Sequence, residues 1–270
     1  MENKGNLFSI FSVILIAALS IACYSNSIKG PFHYDDRKLI LTNFQLRDVH
    51  NLYDIVFSNP TRGISNLSFA LNYWLDEFNP AGYHLVNLSF HASNGILVYL
   101  IFKTVFPHAS LIPLFSSLVF VSHPVNVESV TYISSRAGVM STTFFLLSFY
   151  LFIKFKNSAF SFKKKILFYS LMLFSYILSV GSKEIGITLP VVLILYEFFF
   201  PYFPDKVGLA EKVLMESKLN VIDSRRNRPL GLLLTGLKTR FYRFRIASSF
   251  FFSYLFLLTY FSLNVTCFFQ

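Results

Sequence analysis

The chain has 270 residues, of which 54% are hydrophobic and only 14% charged, with a formal net charge of +10. Its charges are bunched between apolar stretches too long for strands or ordinary core helices, which excludes an ordinary soluble fold. The excess of cations has an explanation in membrane topology, and no nucleic-acid partner is needed to account for it.

A helix that crosses a bilayer needs about 17 to 25 apolar residues. Stretches approaching that length run near 7–25, 85–106, 111–122, 138–153, 166–182, 186–203 and 246–269. Lipid offers no partner to a free backbone N–H or C=O, and the alternation of a membrane barrel is missing, so all are read as helices. The expected fold is an all-α, polytopic bundle of about seven transmembrane helices, a single membrane domain over 1–270. The first stretch ends Leu19-Ser20-Ile21-Ala22-Cys23, a weak likeness to a lipoprotein cleavage site. It is long and further spans follow, so it is read as a retained helix. The third stretch is short and must tilt, thin the bilayer or extend past Pro124. The 34 phenylalanines cluster inside the spans and read as lipid-facing and packing side chains. Cys23 and Cys267 make neither a zinc quartet nor a disulfide framework.

Between the first two spans lies a loop, 25–84, in which Ile64, Leu67, Leu71, Trp74 and Phe78 recur at helical spacing, as in a helix lying on a membrane surface. A basic loop, 204–245, precedes the final span, 246–269, and mixes cations with Val207, Leu209, Val213 and Leu214, which suits contact with an anionic leaflet. With the N-terminus in the cytoplasm, 17 of the 24 Lys and Arg residues fall on the inner side, as the positive-inside rule requires. The 25–84 loop is then extracytoplasmic, in a bacterial inner membrane or an endoplasmic reticulum membrane.

Four polar groups stand out in chain order. Asp35 and Asp36 follow the first span closely; adjacent carboxylates that lose water do not easily ionise together, a setting in which one can act as a general base, although a solvated turn would look the same. His84, Asn87, His91 and Asn94 fall on one stripe of the second span, which is either a helix-packing seam or the wall of a site. His84 and His91 are about 10 Å apart along the axis, too far to share a metal ion. In the segment from His123 to Arg136, a helix starting at Pro124 would align Glu128, Tyr132 and Arg136 on one face. Arg136 there is either clamped by Glu128 or available to a phosphate. Lys183 and Glu184, between the fifth and sixth stretches, suggest an ion pair at the same membrane edge.

The segments FHYDDR (32–37), LSFALNY (67–73), NPAGYHLVN (79–87), His91, HPVNVESVTYISSR (123–136) and KEIGIT (183–188) resemble, in order, those of the transmembrane and tetratricopeptide-repeat O-mannosyltransferases and their bacterial relatives. These belong to the GT-C glycosyltransferase superfamily. The resemblance implies a GT-C-like bundle and transfer of a sugar, typically mannose, from a polyprenyl or dolichyl phosphate to a protein hydroxyl at the extracytoplasmic or lumenal face. It implies that Asp35 or Asp36 is the catalytic base, and that no metal or other cofactor takes part. Arg136, Lys183, His84, His91, His123, Glu128 and Glu184 would then bind substrate or the lipid phosphate. Arg62-Gly63-Ile64 stands where relatives often have Arg-Pro-Leu, and no tetratricopeptide repeat is present, as in a truncated member. Membrane lipid, the lipid-linked sugar and an acceptor protein are the partners expected. An inactive membrane scaffold or, with less to support it, a transporter is the alternative.

Overall fold

A computed structural model describes residues 2–107, 109–157 and 160–200; the basic loop and final span expected at 204–245 and 246–269 lie outside the described residues. Among the described residues there are helices and connections and no strand. The chain clusters into two compact units, Met1–Leu189 and Pro190–Gln270. Asn6–Lys29, Pro80–Val105, Arg136–Lys156 and Phe162–Ser182 are each long and apolar enough to cross a membrane, and a bent pair, Leu111–Ser122 with Pro124–Thr131, makes a fifth if counted as one span. The stretch expected at 186–203 holds an 11-residue helix, Leu189–Phe199, short for a full crossing. The described residues are thus all-helical, with four to five candidate spans of a multi-pass membrane protein.

The first helix, α1 (Glu2–Tyr24), exposes an apolar face of Leu7, Ile10, Phe11, Ile14 and Ile21. Its hydroxyls are satisfied internally: Ser12 Oγ donates to Phe8 O at 2.8 Å and Ser20 Oγ to Ile16 O at 3.0 Å, as a side chain in lipid must arrange. The loop beyond it forms single helical turns at Ser25–Lys29, Arg37–Leu41 and Phe44–Arg47, then α2 (Leu52–Phe57) and α3 (Gly63–Asp76). Next, α4 (Pro80–Val105) begins with proline at its first turn and Asn79 as cap, whose Oδ1 accepts from Ala81 N at 3.2 Å.

Helix α5 (Leu111–Ser122) is followed by a 48° bend. Its cause is local: Pro124 disfavours a helical conformation at His123, which is extended with ψ 128°. The short α6 (Val127–Thr131) follows, then α7 (Arg136–Asn157) and α8 (Phe162–Ser182). These last two are stapled by buried serines, Ser141 Oγ donating to Ser179 O at 3.0 Å and Ser148 Oγ to Met172 O at 2.9 Å. Small hydroxyl residues let two helices approach closely in lipid.

Two buried clusters among the described residues organise these elements. Ile16, Tyr99, Leu114 and Val121 knit α1, α4 and α5 within the bundle. Ile40, Leu46, Ile55, Phe69, Ala70, Tyr83 and Ile133 form another under the 25–84 loop, with Phe32, Leu67 and Phe78 packed against it. The loop is therefore a folded cap and not a lone surface helix. The expected apolar series splits: Leu67 and Phe78 turn inward and Ile64 is half-buried, whereas Leu71 and Trp74 remain exposed, with Leu75 beside them. Phe78 lies beyond the end of α3 at Asp76, so helical spacing does not govern it.

Candidate functional site

The site end of the bundle collects the C-terminal ends of α1, α5 and α8 with the N-terminal ends of α4 and α7. Three hydrogen bonds tie it together: His84 Nε2 donates to Gly30 O at 3.0 Å, Asn87 Nδ2 to Tyr132 O at 3.0 Å, and Ser65 Oγ to Ser182 O at 3.4 Å. The stripe on α4 is wholly buried, His84, Asn87, His91 and Asn94 each being at most 3% exposed. Each grips a different neighbour. His91 Nε2 donates to Val121 O at 3.1 Å, its ring edge-on to Tyr24, and Asn94 Nδ2 donates to Val139 O at 3.1 Å. His84 retains a buried Nδ1 without a hydrogen-bond partner.

Glu128, Tyr132 and Arg136 do not share a helical face, contrary to the expectation from their spacing. Helix α6 stops at Tyr132, which is extended (φ −81°, ψ 127°), and α7 begins only at Arg136. The break persists because side chains satisfy the backbone that a helix would have used: Asn87 Nδ2 donates to Tyr132 O, and Ser134 N donates to Asp36 Oδ1 at 2.7 Å. Glu128 is exposed and does not clamp Arg136.

Arg136 is 0% exposed. Its Nε donates to Asn87 Oδ1 at 2.8 Å, its Nη1 to Asn72 Oδ1 at 2.6 Å and Ser68 O at 3.2 Å, and its Nη2 to Tyr83 O at 2.9 Å. The guanidinium also lies over the Phe69 ring at 4.5 Å from its centroid. Every nitrogen is engaged by α3 and α4, so the group joins the cap to the bundle and has no free edge for a phosphate.

The two aspartates have different surroundings. Asp36 is buried, its Oδ2 accepting from His33 N at 2.9 Å and its Oδ1 from Ser134 N. It stitches the loop to the Tyr132–Arg136 turn. Asp35 is exposed, and among the described residues its carboxylate takes no hydrogen bond. Tyr34, just before it, is 82% exposed yet sits at φ 44°. A positive φ is unusual for an aromatic residue and costs roughly 1–3 kcal/mol. Against this turn opens a cleft of about 620 Å³ lined by Phe32, His33, Tyr34, Arg37 and Tyr132.

The other residues singled out from the sequence do not gather at the cleft. His123 is an exposed cap, its Nδ1 accepting from Val125 N at 3.1 Å. Lys183 is half-buried with its ammonium beside Gly138, and Glu184 is exposed; no ion pair joins them among the described residues. Conversely, His33, Tyr34 and Arg37 were not marked by spacing, and only the density of aromatic and charged residues in FHYDDR signals them. Tyr132 was marked, but for a helical face with Glu128 and Arg136 that does not form.

Fold and site define a multi-pass helical membrane protein with a folded cap, a paired-aspartate turn and an aromatic cleft at one end. Over 217 residues the chain is 30% identical to protein O-mannosyl-transferase TMTC3 of Mus musculus, covering 74% of this chain and 23% of that protein. It is 31% identical to TMTC3 of Homo sapiens over 205 residues (69% and 21%) and 31% identical to tmtc2 of Xenopus laevis over 207 residues (69% and 24%). The chain belongs to the transmembrane and tetratricopeptide-repeat family that these proteins represent. It spans about a quarter or less of the length of the curated relatives it matches. No family model and no solved structure matches it.

Proposed function

We propose that the chain carries the acceptor-activating end of a protein O-mannosyltransferase that takes its sugar from a polyprenyl or dolichyl phosphate on the extracytoplasmic side. The observation that carries the reading is the contrast between the two aspartates that stand in the chain between the cleft-lining Tyr34 and Arg37: Asp36 is consumed in holding the turn, and Asp35 is exposed. A serine or threonine hydroxyl is a poor nucleophile until a positioned base takes its proton during attack. In the proposed step Asp35 accepts that proton and the hydroxyl oxygen bonds to the anomeric carbon. The bond from that carbon to the phosphate oxygen breaks, and the lipid phosphate leaves with the electron pair. The anomeric centre inverts. No metal is assigned a part, since the phosphate monoester formed is already a competent leaving group. The relatives' names as protein O-mannosyl-transferases support the sugar and the protein acceptor.

Transfer from a mannosyl polyprenyl phosphate to a serine- and threonine-bearing peptide, measured with purified full chain in nanodiscs, tests this. Asp35→Asn should lower turnover by about 10² to 10⁴, the usual worth of general base catalysis, with thermal stability unchanged. Asp36→Asn should lower thermal stability as well as turnover. Full activity in Asp35→Asn would overturn the assignment of the base.

A further inference from the structure

We infer that the cleft lined by Phe32, His33, Tyr34, Arg37 and Tyr132 is a seat for a sugar phosphate, with the phosphate on Arg37 and the sugar ring against Tyr34 and Tyr132. The inference deepens the transferase reading and takes the class of ligand from it. It reassigns the phosphate contact from Arg136 to Arg37.

The cations at this end of the molecule are used in different ways. Arg136 is fully committed within the protein. Arg47 donates through Nη2 to Leu41 O at 3.0 Å and lies 4.5 Å over the Phe44 ring. Lys183 is laid against Gly138. Arg37 alone among the cations lines the cleft; it is exposed, and its guanidinium makes no hydrogen bond or ion pair among the described residues. A guanidinium presents five donors in a planar fork that matches phosphate oxygens, and only an unengaged one can offer them.

The rest of the cleft suits a ring more than a bare ion. Tyr34 and Tyr132 stand with centroids 6.0 Å apart and planes 56° from parallel, forming an angled aromatic corner for the C–H face of a sugar. A few polar groups among aromatic walls are the usual composition of a small-molecule site. One turn sets both functions, since Arg37 N donates to Tyr34 O at 3.3 Å. The Asp36 carboxylate fixes that turn and brings Tyr132 across it. Tyr34 adopts its positive φ with its side chain exposed, so burial of the ring gives no return for the strained backbone. Strain of this kind is found where a side chain is set for a ligand.

An anionic phospholipid could also place a phosphate on Arg37, but it brings no sugar ring. The test therefore compares three ligands on full chain in phosphatidylcholine nanodiscs: mannosyl polyprenyl phosphate, polyprenyl phosphate and phosphatidylglycerol. Arg37→Gln should weaken both polyprenyl phosphates by about 10- to 100-fold, as expected for loss of a charge-assisted hydrogen bond, with unchanged thermal stability. Arg37→Lys should recover part of the loss. Tyr34→Gly should hold or raise thermal stability, since glycine accepts the positive φ, while weakening only the sugar-bearing ligand. Unaltered polyprenyl-phosphate affinity in Arg37→Gln would overturn the inference, as would Arg37-dependent binding of phosphatidylglycerol equal to that of the mannosyl lipid. If Asp35-dependent transfer proceeds with an unchanged donor KM in Arg37→Gln, the cleft assignment fails and the transferase reading stands. If Arg37-dependent binding is found and transfer is absent, the reverse holds.

Discussion

Two arginines show how one residue type serves opposite ends. Arg136 is solvated by protein: two asparagine oxygens, two backbone carbonyls and two ring faces take the place of water around it. A lysine there would keep the charge but could not reach acceptors in three directions. Arg136→Lys is therefore expected to destabilise the protein, by about 1–3 kcal/mol for each buried acceptor left unpaired, and to leave donor KM unchanged in the folded fraction. Thermal unfolding in detergent together with donor titration checks this; unchanged stability with a raised KM would restore Arg136 as a phosphate ligand. From the sequence Arg136 is visible as a charge at a membrane edge. Its acceptors, Ser68, Asn72, Tyr83 and Asn87, lie 49 to 68 residues away along the chain, and no local pattern encodes them. The same limit applies to the aspartates, which are equivalent as letters and are distinguished by the backbone N–H groups of His33 and the distant Ser134 folding onto one of them.

Periodicity made α4 readable, because a stripe of polar residues at helical spacing within an apolar run has to face protein. The break between α6 and α7 was not readable, since the side chains that stabilise it come from residues 36 and 87. Gly95 is the point at which α1, α4 and α5 converge: a Cβ there would collide with Val121 and come within 2.9 Å of Ile16 Cγ2. Gly95→Ala should thus cost about 1–3 kcal/mol, the usual penalty for overpacking, seen as a lower unfolding temperature with no change in donor affinity. On α3, Trp74 is the only tryptophan in the chain and is 64% exposed. If this face of the cap rests at headgroup depth, brominated lipids will quench its fluorescence. Emission insensitive to bromine at every depth would place the cap away from the bilayer.

At the scale of the whole molecule, the described residues separate into two chemically distinct ends. Lys103 Nζ donates to Ser9 Oγ at 2.5 Å, joining α1 and α4 at the end opposite the cleft, where Lys154 and Lys156 close α7 and Lys163, Lys164 and Lys165 open α8. The positive-inside rule predicts that this end faces the cytoplasm. A single cysteine at position 38 should then react with an impermeant maleimide in intact cells or sealed right-side-out vesicles, and one at position 164 only after permeabilisation. The opposite pattern would invert the protein and move the proposed site to the cytoplasmic face. Composition alone conveyed helical, multi-pass character. It could not convey the folded cap, because that core is assembled from residues 40, 46, 55, 69, 70, 83 and 133, which share no period.

The Asp36–Ser134 bond joins residues 98 apart in the chain, and this has a consequence for biosynthesis. At about 5–20 residues per second, the carboxylate emerges about 5–20 s before its partner amide. During that interval the turn has only its local bonds, among His33, Tyr34, Asp36 and Arg37, so the cap must mature after the later spans have been inserted. Nascent chains arrested before residue 134 is threaded should be cut readily within 31–41 by an external protease, and chains arrested after α7 should resist. The geometry proposed for catalysis would then be a late product of membrane insertion and not a property of the loop that bears the aspartates.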